Sequence, residues 1–144
     1  MTTRAAVIAE ALSWLGTPFH DCASVKGAGV DCLNLIKAVY VNCGLIEDFV
    51  LPPYKPQYGY HRSDPLFLKA LEQYAHRVER PEPGDVAMFW YGRQAAHSGI
   101  VIDAQTIVHA FSPVGRVTKG ALRDHSQVAA GERGAIDSYW SVFP

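Results

Sequence analysis

Apolar residues recur at helical spacing near the start of the chain and at strand spacing near its end. Val7, Ile8, Ala11, Leu12 and Leu15 fall on one helix face, which Thr2 or Thr3 can cap and Gly16 can end. Residues 17–29 read as a loop, punctuated by Pro18, Gly27 and Gly29. A second helix is predicted from about Asp31, with Leu35, Ile36, Val39, Tyr40 and Cys43 on its buried side and Gly44 as a left-handed stop. Residues 51–60 hold three prolines and three tyrosines and favour extended or turn conformations. Ser63-Asp64-Pro65 signals a third helix, through Leu66, Ala70, Leu71 and Tyr74, which Pro81-Glu82-Pro83-Gly84 breaks off.

From Asp85 the period changes. Residues 86–90, 98–102, 106–110, 116–118 and 136–143 read as strands. Helices first and strands later predict an α+β domain with helices packed on an antiparallel sheet. The length of 144 residues suits a single domain over residues 1–144.

The formal net charge of −1 gives no electrostatic case for nucleic acid. No apolar run reaches the ~18 residues of a membrane span. Met1-Thr2-Thr3-Arg4 leads into an amphipathic pattern and not a signal peptide, which predicts synthesis in the cytoplasm. An external target would then require carriage by another machine. Cys22, Cys32 and Cys43 are too few for a disulfide framework, and a Cys22–Cys32 bridge would block the candidate nucleophile below. No metal or organic cofactor is expected.

The candidate chemistry begins at Asp31-Cys32. A cysteine at a helix start sits in the positive end of the helix dipole, which favours the thiolate. A glycine-bearing loop precedes it, and its own N–H can help to hold an oxyanion. Two histidines answer it: His97 at the head of one strand and His109 inside the next. Each read singly fits a blander role, as a strand-edge or a core histidine. Together they obey a parity constraint. A three-residue hairpin loop, Asp103-Ala104-Gln105, pairs Gly99 with His109 and makes His97 its diagonal neighbour on the same face. A two-residue loop at Ala104-Gln105 puts the rings on opposite faces. If the rings meet, His97 can serve as base to Cys32 and then as acid to the leaving amine, with His109 orienting the His97 ring. His61, His76 and His125 lie in polar surroundings and read as surface groups, whereas His20 can line a cleft ahead of Cys32.

In this order the motifs resemble the NlpC/P60 superfamily of papain-like cysteine peptidases. They are Leu15-Gly16-Thr17-Pro18-Phe19, Lys26-Gly27-Ala28-Gly29-Val30, Asp31-Cys32-Leu33-Asn34-Leu35, Pro83-Gly84-Asp85-Val86, His97-Ser98-Gly99-Ile100-Val101 and Val108-His109-Ala110. The resemblance implies a papain-like fold, Cys32 as nucleophile, His97 as base and His109 as third member. It implies hydrolysis of peptidoglycan stem peptides, often between D-glutamate and a diamino acid, with no metal. Asp31 would face the substrate's free amine, and His20 and Ser98 are counted with it as substrate-binding residues. The Lys26-Gly27 loop and the Pro/Tyr-rich insert most resemble the phage and gene-transfer-agent branch, which implies phage-tail partners and delivery to the cell wall by a tail-like particle. Phe19 departs from the family tyrosine, and Leu33-Asn34 from the usual Ser-Gly.

Three rivals stand beside this reading. One is a catalytically silent tail or assembly protein with the same fold. Another is a metal-dependent hydrolase using His97, Asp103 and His109. The last is acyl transfer, which shares the acyl-cysteine with hydrolysis.

Overall fold

The structure is a computed structural model that describes residues 2–49, 69, 72–91, 94–122 and 136–144. Helix α1 (Arg4–Leu12) starts where Thr3 caps it, accepting the Ala6 N–H at 3.1 Å. Val7 and Ala11 are its buried residues. The helix was expected to run to Leu15, but it stops three residues earlier and leaves Leu15 39% exposed. The chain is diverted there by the sheet. Gly16, at φ +85°, donates its N–H to Val117, and Val117 donates to Thr17, so this segment pairs with a strand edge instead of completing another helical turn. Within the predicted loop that follows, β1 (Ser24–Val25) and β2 (Gly29–Val30) form a small hairpin.

Helix α2 (Cys32–Asn42) buries Leu33, Asn34, Leu35, Ile36, Val39 and Tyr40. It ends as predicted, with Gly44 left-handed at φ +72°. The Leu45 N–H returns to the Tyr40 carbonyl at 3.0 Å and the Gly44 N–H to Val41 at 2.9 Å, a Schellman closure that satisfies the last carbonyls. Cys43 is the C-cap and is only half-buried. The Pro/Tyr-rich segment and the start of the expected third helix lie outside the described residues, as do His61 and His125.

The sheet holds β3 (His76–Val78), β4 (Val86–Tyr91), β5 (Gln94–Val101), β6 (Thr106–Phe111), β7 (Arg116–Ala121) and β8 (Ile136–Ser141). Its order is β3-β8-β4-β5-β6-β7, and all its pairs are antiparallel. The α+β expectation holds, with β3 added. That strand carries the exposed His76 and has no apolar run to announce it. Val86, Met88, Ile100, Val108, Ala110, Val117 and Trp140 pack with α1 and α2 on one face. Ala87, Phe89, Val101, Ile107 and Leu122 form a second cluster on the other. Burial on both faces explains why β4 reads as an unbroken apolar run instead of an alternation.

An ion pair between the partly exposed Arg4 and the buried Asp85 carboxylate ties the layers together. Arg4 of α1 meets Asp85, just ahead of β4, at 2.8 Å, and also donates to the Pro83 carbonyl at 3.0 Å. Its guanidinium lies 4.4 Å above the Phe143 ring.

Candidate active site

The helix start is built around Asp31. It is 2% exposed, and both carboxylate oxygens are engaged. Oδ1 accepts the Asn34 backbone N–H at 2.9 Å and the Asn34 side-chain amide at 3.1 Å, and Oδ2 accepts the Cys22 N–H at 2.8 Å. Asp31 therefore caps α2 and holds the preceding loop, with Cys22 at φ +61°, against it.

Ser98 fixes the next residue. It is fully buried and its hydroxyl donates to the Cys32 carbonyl at 3.2 Å, while its backbone N–H reaches the Cys32 thiol. Ser98 thus braces the helix start against β5. His20 is exposed beside the loop, its N–H donating to Val30 two residues ahead of Cys32.

The hairpin takes the three-residue loop. Val101 pairs with Ile107 and Ile100 with Val108, a register that sets Gly99 against His109. His97 and His109 consequently share a face, and His97 Nε2 lies 2.8 Å from His109 Nδ1. The rings are 7% and 3% exposed as residues, with centroids 5.0 Å apart. The β5–β6 ladder among the described residues covers Ile100 and Val101, and the α2 N-terminus meets β5 just beyond it, at Ser98. Strand β5 therefore carries the link to Cys32 and the imidazole on adjacent residues.

The thiol differs from the expectation based on the helix dipole alone. The residue is only partly buried, but desolvation pushes the thiol up to about 12, aided by the neighbouring Asp31 carboxylate. The N–H groups of Ser98, Leu33 and Cys32 lower it only in part. A helix N-terminus supplies partial charges, whereas desolvation and a full negative charge at the cap both oppose the thiolate.

Two results follow from that cause. Removing the charge with Asp31→Asn is expected to accelerate Cys32 carboxamidomethylation at pH 8 several-fold, read by mass mapping against Cys22 and Cys43. An unchanged or slower rate would remove Asp31 as a cause. The sign of the pH dependence of stability is also set. A thiol raised from 9.0 to about 12 on folding contributes stability in full below pH 9, and that stability is lost as pH climbs from 9 to about 12.

No disulfide joins Cys22, Cys32 or Cys43. Asp103 does not join the histidines. It is exposed in the hairpin loop, where its carboxylate accepts the Gln105 N–H at 2.8 Å and is held below the usual carboxylate range by that bond. Among the described residues, no three His, Cys, Asp or Glu side chains gather as a metal site. Sequence reasoning noted Asn34 only as a departure from the family pattern and passed over Phe111 and Gly120, although strand parity places Phe111 on the His109 face.

No family model and no curated protein matches the sequence. Solved structures do match the fold. The NlpC/p60 domain of the peptidoglycan hydrolase SagA is 19% identical, with 96% of this chain covering 98% of that one at a TM-score of 0.65. An NlpC/P60 family protein from Bacillus cereus is 16% identical at a TM-score of 0.65; this chain is covered over its full length but spans only 42% of that protein. RipD from Mycobacterium tuberculosis is a non-catalytic NlpC/p60 domain protein adapted to peptidoglycan binding. It is 16% identical, with coverages of 95% and 94% and a TM-score of 0.56. With its helices on one face of a six-stranded antiparallel sheet, and with these likenesses along nearly its whole length, the chain has the NlpC/P60 fold.

Proposed function

We propose that this chain is a cysteine amide hydrolase that cuts peptidoglycan stem peptides, with Cys32 as nucleophile, His97 as general base and His109 as the group that orients it. The observation that carries the reading is the 2.8 Å contact of His97 Nε2 with His109 Nδ1, on a strand whose next residue holds Cys32.

The tautomers follow from that contact. For His97 to accept a proton at Nδ1, its Nε2 must carry a hydrogen and donate it to His109 Nδ1. The neutral thiol gives its proton to His97 Nδ1 as Sγ attacks the scissile carbonyl carbon, so the base acts during the attack and not before it. The new imidazolium is stabilised by its charge-assisted bond to His109. The Cys32 N–H, at the positive end of α2, is placed to help hold the oxyanion. The C–N bond breaks as His97 Nδ1 returns the proton to the leaving amine. Water then attacks the thioester with His97 again as base, releasing the acid and restoring the thiol.

The SagA likeness supports the wall as target, since that protein is a peptidoglycan hydrolase of the same fold. A D-glutamyl–diamino acid bond is the proposed scissile bond, and a phage tail-like particle the proposed carrier. Both rest on the motif resemblance alone.

Digestion of purified peptidoglycan, with the fragments weighed, tests the reaction. Peptides that gain one water per cut are expected, and an alkylating reagent should stop their release where a chelator does not. Failure of the native protein to release any peptide would overturn the reading. One likeness favours a second reading, a domain that holds wall peptides without cutting them: RipD has this fold without catalysis, and burial and the Asp31 carboxylate both oppose the Cys32 thiolate here. Binding to insoluble peptidoglycan with no fragments released would select it.

A further inference from the structure

An imidazole that must present one nitrogen needs its ring plane and its flip fixed. A half-turn of His109 about Cβ–Cγ replaces Nδ1 with a C–H and loses the bond to His97. Two residues outside the expected triad set that orientation. Phe111, two residues on and so on the same strand face, stacks on His109 with centroids 4.7 Å apart and planes 12° from parallel. It also neighbours His97 at 5.7 Å, as Phe89 does at the same distance. Gly120 of β7 lies under the far edge of the His109 ring. A Cβ there would fall 2.8 Å from Nε2 and 3.2 Å from Cε1, which no relaxed packing allows. The bare Cα leaves room for the Nε2–Cε1 edge of the ring, and Phe111 covers a face of it.

We propose that Phe111 and Gly120 form the seat of His109 and are positioning residues for the reaction, acting through the His109–His97 bond and not on the substrate. This rests on the hydrolase reading above, and the test separates the two. Phe111→Leu keeps an apolar side chain but removes the planar face, Phe111→Tyr keeps the face, and Gly120→Ala intrudes on the ring edge. Turnover of a stem peptide gives kcat and KM. The downfield imidazole N–H proton between the two histidines is read by NMR in the same proteins, whether or not they turn over.

Phe111→Leu is expected to lower kcat roughly tenfold with KM within about twofold, and to broaden or erase that resonance. Phe111→Tyr should restore both, and Gly120→Ala should lower kcat at least as far as Phe111→Leu. A resonance and a kcat unchanged by Phe111→Leu would overturn the proposal, as would a Tyr variant as impaired as the Leu variant. Loss of the resonance in a native background that never cuts peptide would leave the seat standing and remove the hydrolase reading instead.

Discussion

Cys32→Ala is expected to lower peptide release from peptidoglycan by roughly three orders of magnitude or more, with the melting temperature nearly unchanged. The substitution deletes one sulfur from a half-buried position and leaves Asp31, Asn34 and Ser98 in place, since these hold backbone groups of the helix start and not the thiol alone. Lost packing for so small a group costs about 1 kcal/mol or less. The same variant should flatten the loss of stability between pH 9 and about 12, because the group that releases its proton there is gone. His97→Ala should approach the Cys32→Ala rate, and the double variant should be no slower than either single one, since base and nucleophile act as a unit. Undiminished digestion by Cys32→Ala would remove the thiol from the chemistry altogether. Digestion that survives in His97→Ala but not in Cys32→Ala would assign the base to another group.

The largest expected effect on stability is that of Arg4→Ala, about 2–4 kcal/mol by urea unfolding. Asp85 is 1% exposed, and its Oδ1 meets the Arg4 guanidinium at 2.8 Å while its Oδ2 accepts the Glu82 N–H at 2.8 Å. Removing the cation leaves a buried carboxylate with half its partners. It also takes away the bond to the Pro83 carbonyl and the contact over Phe143, so α1 loses its tie to the start of β4 and the end of β8. The exposed Glu82 contact at 3.3 Å contributes little to this. Arg4→Lys should recover part of the loss, keeping the charge but not the fork that reaches two acceptors. A midpoint for Arg4→Ala equal to the native one would show that water reaches Asp85 and that the pair is not buried in solution.

Much of the fold was legible in local pattern. The Thr3 cap and the Gly44 stop each follow from a side chain or backbone group acting on its own helix end, so residue type and spacing were enough. The strands from β4 to β8 announced themselves by β-branched and aromatic runs. What misled was competition from elsewhere in the chain. Helix α1 ends early because Gly16 and Thr17 bond to Val117, a hundred residues away. Strand β3 exists because β8 offers it an edge at Ser141, Trp140 and Tyr139 and not because His76-Arg77-Val78 has any strand period. The β1–β2 hairpin, closed within a glycine-bearing loop, likewise had no periodic pattern to read.

The site divides along the same line. Chain order and strand parity alone determined that Cys32 begins a helix and that His97 and His109 share a face if three residues turn the hairpin, because alternation is a property of the backbone. Only the tertiary structure decided which loop is taken, that Asp31 and Ser98 brace the helix start, and that Phe111 and Gly120 enclose the second imidazole. It alone also decided what surrounds the thiol. A helix end favours the anion, but the strength of that preference depends on how much water remains around the sulfur and on which charges stand beside it. Those are consequences of packing between distant segments, and no local spacing encodes them.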